Sequence, residues 1–255
     1  MSSDVKAKWM KDNSTQNSQR IPPSWADDSL SKFIQDTLGN TYATFHNLKT
    51  PYNKLKGTHN LFVKIVDNIE GTPDWFAAFF LVRSHSAFLG AVRLALSGQV
   101  PEAFMVLRGC LENALYGLYV TRNPSSQETW LRRHDDEKSK KKVRKEFKIS
   151  NLLDLLEKND KKLRSIAGEL YERTIDYGGH PNERAFFSVA KKSVDEHKTT
   201  IQSAYLIGNE PALQLCLKSC AQIGLCSLSI FQLIYRERFD ILGLSDEMKA
   251  LKRGL

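Results

Sequence analysis

Apolar residues recur along this chain at three- and four-residue spacing, over segments too long for strands. The first run is Leu30, Phe33, Ile34, Leu38, Tyr42, Phe45 and Leu48, with Ser29 placed to cap it and Pro51 to close it. Leu55, Phe62, Ile65, Val66 and Ile69 mark a second helix, which Gly71 ends. Thr72-Pro73-Asp74 then reads as cap, first helical residue and first-turn acid of a third. That helix is apolar on nearly every face, so the pattern predicts a central helix surrounded by others. Ser97-Gly98 stops it, Pro101 starts a fourth, and Asn123-Pro124 breaks that one. Ser125 with Glu128 forms a capping-box signature for a fifth.

Further along, Leu152, Leu155 and Leu156 suggest a short helix. Leu163, Ile166, Ala167, Leu170, Tyr171 and Ile175 follow as a longer one, with Gly178-Gly179 and Pro181 as its stop. Residues 182–210 fit short strands or an irregular excursion equally well. Pro211 opens a long apolar helix reaching about residue 237. The pattern therefore predicts an all-α protein with helices near 29–49, 53–69, 73–97, 101–122, 126–142, 151–177 and 211–237. Residues 1–23 are polar, end in Pro22-Pro23 and read as a flexible tail, leaving 24–255 as one helical bundle.

Composition sharpens this picture. The 255 residues are 41% hydrophobic and 26% charged, which excludes a disordered or collagenous chain. The four cysteines (Cys110, Cys216, Cys220 and Cys226) all fall in apolar helical stretches, as reduced core thiols do. Cys216 and Cys220 share a helical face, but no CxxC pair or nearby histidine completes a metal-ligand set, so neither metal nor cofactor is expected. The N-terminus has no apolar signal region, and Arg83, His85 and Arg93 interrupt the apolar run from Trp75 to Leu96. The expectation is a cytosolic protein without a membrane span.

Charge is unevenly placed. The formal net charge is +8, and residues 132–164 hold 13 basic against 7 acidic side chains. At its centre is KSKKKVRKEFK, residues 138–148. Lys138, Lys140, Lys141, Lys142, Arg144 and Lys145 are thus candidates for a sequence-independent contact with phosphates. Phe147 is the one aromatic in that run, so base stacking along a single strand is not indicated.

Two constellations carry chemistry. Arg108 and Glu112 stand four apart on one face of an apolar helix, with Tyr116 a turn further on. They read either as a mostly buried ion pair, whose loss on one side should cost about 3–5 kcal/mol, or as a ligand-facing arginine. Arg173 and His180 flank a helix end in YERTIDYGGHPN, residues 171–182. Together they can serve phosphodiester cleavage, the imidazole moving a proton and the guanidinium stabilising the phosphorane. Loops for nucleotide phosphates, HExxH and GxSxG are all missing from the sequence.

The R-x-x-x-E helix followed by a tyrosine-rich helix ending in H-P-N resembles a family of uncharacterised all-α bacterial proteins. Arg173-x6-His180 is similar to the R-x4-6-H motif of the HEPN superfamily, although Thr174 stands where Asn, Asp or His is usual. The likeness spans roughly residues 75–182. It implies a helical bundle acting on or binding RNA, as metal-independent endoribonucleases of toxin and phage-defence systems do. Arg173 and His180 would then be its catalytic pair, completed across a homodimer, and substituting either should abolish cleavage without changing the melting temperature. The alternative is a non-catalytic helical interaction module.

Overall fold

The computed structural model describes residues 21–179, 183–187, 190–195 and 198–255. Residues 1–20 of the expected tail lie outside them. The chain divides into two compact units, one through Leu38 and one from Gly39 to Leu255. In the first, Asp28 rather than Ser29 opens helix α1 (Ser29–Asn47), its carboxylate accepting from the Leu30 and Ser31 amides.

The second unit is all-α apart from one hairpin. Its order is α2 (Lys49–Asp67), α3 (Trp75–Leu96), α4 (Val100–Arg122), α5 (Ser125–Leu131), a 3-10 turn (Arg132–His134) and α6 (Glu137–Glu146). There follow α7 (Ile149–Asn159), α8 (Lys161–Thr174), a π-helical turn (Ile175–Gly179), α9 (Glu183–Phe187), α10 (Pro211–Ile234), α11 (Arg236–Ile241) and α12 (Leu244–Lys252). Strands β1 (Ala190–Asp195) and β2 (Lys198–Ser203) pair antiparallel, Ala190 opposite Ser203, within the stretch whose pattern fitted strands or an irregular excursion.

Several boundaries differ from the periodicity, each for a local reason. Pro51 does not close α1. It sits in the first turn of α2, where its missing N–H has no intrahelical partner to lose. Ser125 is the first helical residue of α5 and makes no capping bond. The expected 126–142 helix breaks at 132–136 because Asp136 caps a new one, accepting from the Ser139 amide at 2.6 Å. Asp160 divides 151–177 in the same way, accepting from the Leu163 amide at 2.9 Å.

Helix α4 runs through the core with α3 beside it, and α10 packs against both and against α2. Phe62, Phe88, Phe104, Phe231 and Phe239 fill the space between them. All four cysteines are buried and free. Among the described residues two helices, α3 and α10, have the length and hydropathy of a membrane span; 72% of the apolar window of α10 is buried, and 39% of that of α3. The central helices are therefore α4 and α10. The expected surrounded position of α3 does not hold, since Trp75, Phe79, Val82 and Leu89 look outward from it.

Between α2 and α3, His59 Nδ1 and His85 Nε2 share a hydrogen bond at 3.0 Å, with the His85 ring parallel to Phe62. Burial and then the neighbouring His59 pull His85 down to about 4, against a smaller upward pull from Asp67. A histidine with a lowered folded pKa leaves the unfolded chain to take up the proton first. Its stabilising contribution is thus complete above about pH 6.5 and is lost as pH falls through about 4. Thermal melts are expected to show a loss on the order of 1–2 kcal/mol over this window after allowance for solvent. His85→Gln should flatten that part of the profile.

Candidate functional site

The basic helix α6 stands on a short apolar base. Val143 and Phe147 are buried beneath it, which turns Lys141 and Lys145 outward to solvent. Its two flanks border separate depressions. On one side Lys138, Ser139 and Lys142 face a polar groove shared with Ser125, Thr129 and Arg132. On the other, Arg144 and Phe147 border a cleft of about 250 Å³. Lys140 makes an exposed ion pair with Glu137 at 3.1 Å, a contact worth little in water.

The cleft gathers residues from five elements. Helix α4 supplies Arg108, Glu112 and Tyr116; the 3-10 turn supplies Arg133; α7 supplies Ile149 and Leu152; α8 supplies Tyr171. Arg108 Nε donates to Glu112 Oε1 at 2.8 Å, and the Tyr171 hydroxyl donates to the same oxygen at 3.2 Å. The Arg108 guanidinium also lies over the Tyr171 ring, 5.1 Å from its centre. Opposite, the Tyr116 ring stacks on Phe147 at 4.9 Å.

Burial opposes the Arg108 charge, but the hydrogen bond and charge of Glu112 outweigh it and raise its pKa. Burial and then the Glu112 carboxylate push Tyr171 up to about 12. The same two causes raise Tyr116, with Arg133 pulling the other way, which places that guanidinium within electrostatic reach of the hydroxyl. Both phenols therefore keep their protons at neutral pH and act as donors. Neither Arg133 nor Arg144 has a carboxylate partner among the described residues. The two protons are already placed, Tyr171 donating to Glu112 and Tyr116 to the Phe147 carbonyl oxygen at 3.5 Å, so the cleft offers two uncommitted guanidiniums beside one neutralised arginine.

Arg108 and Glu112 are paired as their spacing predicts, yet each side chain keeps about a third of its surface exposed (32% and 34%). They form the floor of an open cleft, not a buried strut. The expected 3–5 kcal/mol for breaking the pair therefore shrinks: Arg108→Gln or Glu112→Gln should each cost about 1 kcal/mol in a denaturant melt.

Arg173 is elsewhere, on the α8 wall facing α10. Its Nη1 donates to Gln222 Oε1 at 2.6 Å and to Ser219 Oγ at 3.2 Å, and Nη2 donates to Glu169 Oε1 at 2.7 Å. His180 lies outside the described residues, so Arg173 and its expected partner are not brought together by anything described. Its side chain is 20% exposed, and two of its three acceptors, Ser219 and Gln222, tie α8 to α10, while Glu169 lies on α8 itself. Arg173→Ala should therefore lower stability by about 1–3 kcal/mol, where the sequence predicted an unchanged melting temperature. A melting temperature equal to wild type would exclude this role.

Arg133 and Tyr171 escaped the reading of the sequence. Arg133 belongs to the basic 132–164 stretch, and that charge run was its available signal. Tyr171 showed no signal, because only the packing of α8 on α4 brings it to Glu112. Among the described residues, no group of three or more His, Cys, Asp or Glu side chains is placed to hold a metal ion. Compared with known proteins, the chain matches no family model, no curated protein and no solved structure.

Proposed function

We propose that this protein binds RNA through the cleft floored by Arg108 and the basic helix α6 beside it, without sequence preference. One observation carries the reading: Arg133 and Arg144 border one cleft, neither forms an ion pair among the described residues, and the one carboxylate lining it, Glu112, is paired with Arg108. Guanidinium groups prefer phosphate oxygens, which they meet in a planar fork. Lys138, Lys141, Lys142 and Lys145 extend the same positive surface along exposed positions of α6. They add attraction that depends on salt and not on base identity.

Binding fits the cleft better than catalysis does. A proton-transfer group needs a pKa near neutrality, and the two phenols are displaced well above it. The HEPN-like ribonuclease reading, resting on Arg173 and His180, stays a proposal on the resemblance, and a cytoplasmic location stays one on the cysteine usage and the N-terminal sequence. Fluorescence anisotropy with a labelled single-stranded RNA at low salt tests the binding reading. The expected result is saturable binding that weakens steeply with added salt. No binding at low salt would end it.

A further inference from the structure

Helices α8, α10 and α12 line a cavity of about 560 Å³, which shares no lining residue with the cleft beside α6. Its lining is mainly apolar, with Leu163, Ile166, Leu170, Leu225 and Leu233 on the two walls. A cavity of this size suits a small organic molecule, and an apolar lining with a few placed polar groups is the usual form of such a site.

Its charged side chains are three cations, Lys162, Arg173 and Lys252, and two acids, Asp160 and Glu169. Lys252, at the end of α12, donates to Ser229 Oγ at 2.9 Å and has no carboxylate partner among the described residues. Much of its surface is exposed to solvent; partial burial of the ammonium lowers its pKa, against smaller upward pulls from Cys226 and Asp160. The ammonium has donors that the single Ser229 hydroxyl does not fill, so an anion arriving from the cavity would be favoured. Arg173 occupies the same lining, with Glu169 as its carboxylate partner. The other acid at the rim, Asp160, caps α8 at the Leu163 amide and attracts the Lys252 ammonium without forming an ion pair with it.

We infer that this cavity binds a small amphipathic anion, an alkyl carboxylate whose head pairs with Lys252 and whose chain lies along the leucines of α8 and α10. The size and lining select an apolar body, and an ammonium that forms no ion pair among the described residues selects a negative head. Nothing in this inference depends on RNA binding.

Isothermal titration of the full chain with octanoate, decanoate and decan-1-ol tests it. Decanoate should bind saturably, one per chain. Each added methylene should tighten binding about fourfold, the transfer value of a buried CH₂. Decan-1-ol should bind at least about tenfold more weakly than decanoate, because it leaves the ammonium unpaired. Lys252→Met should remove that difference between acid and alcohol. Ile166→Trp, at a half-exposed position of the rim, should fill the cavity and weaken both ligands. Arg144→Gln, in the RNA cleft, should leave decanoate binding unchanged. Absence of saturable decanoate binding, or equal affinity for decanoate and decan-1-ol, overturns the inference on the unaltered chain. Decanoate binding that Lys252→Met or Ile166→Trp leaves at the wild-type value overturns it as well.

Discussion

Changing Arg133, Arg144, Lys138, Lys141, Lys142 and Lys145 together to glutamine should weaken RNA binding at least a hundredfold at about 50 mM salt. These six side chains border the cleft or stand outward on α6, and none belongs to the core. Each cation that neutralises a phosphate of a single strand displaces about 0.7 of a counterion, so six contacts give a slope of log affinity on log salt near −4. Between about 50 and 200 mM salt, such a protein loses two to three orders of magnitude in affinity. The six-substituted chain should lose most of that slope, while Arg133→Gln with Arg144→Gln alone should reduce it by about 1.4. Glutamine keeps helix propensity close to that of lysine and arginine, so far-UV circular dichroism should be unchanged. Arg108 is left in place because its removal would strand Glu112, which would confuse electrostatics with stability. An unchanged salt slope in the six-substituted chain would move the interface elsewhere.

The fold was legible wherever a helix buries one stripe, as α2 does with Leu55, Phe62 and Ile65. It was less legible where a single side chain decides a boundary. Asp136 caps a new helix, and Asp160 ends one helix and caps the next, within segments whose periodicity runs on almost unbroken. The apolar run of α3 implied a surrounded helix, since periodicity reports how apolar a face is and not whether another element covers it. The site divides along the same line. Arg108 and Glu112 are neighbours on one helix, so spacing alone pairs them. Tyr171 reaches Glu112 across 59 positions of chain, which no local pattern encodes. The charge run placed the lysines of α6 and Arg144 on one element, but only packing brings Arg144 and Arg133 to the same cleft.

The largest stability effect is expected from one methyl group, in Gly178→Ala. The Gly178-Gly179 pair reads in sequence as a helix stop, which calls for a left-handed residue. Among the described residues the glycines with positive φ are Gly71, Gly98, Gly243 and Gly254, so Gly178 serves another purpose. It lies in the π-helical turn after α8, buried against the first turns of α4, with Tyr177 stacked on Phe104 beside it. A Cβ at this position would strike the Pro101 carbonyl oxygen and lie 2.8 Å from Phe104 Cβ and 2.9 Å from the Met105 amide nitrogen. Two of these three atoms are backbone of α4 and the third is a Cβ, so no side-chain rotation relieves the overlap. The turn must lift from α4, and the Tyr177–Phe104 contact opens with it. Overpacking of this kind should cost about 3 kcal/mol, which lowers the melting temperature of a chain this size by roughly 10 °C. Gly109→Ala is the matching control, because nothing lies within 4 Å of its added methyl in the middle of α4. It should raise stability by about 0.5–1 kcal/mol. The turn also carries the chain from Arg173 toward His180, so Gly178→Ala should remove any cleavage that depends on that pair while leaving RNA binding at the α6 cleft in place. A Gly178→Ala chain melting within about 2 °C of wild type would show that α8 and α4 do not approach this closely.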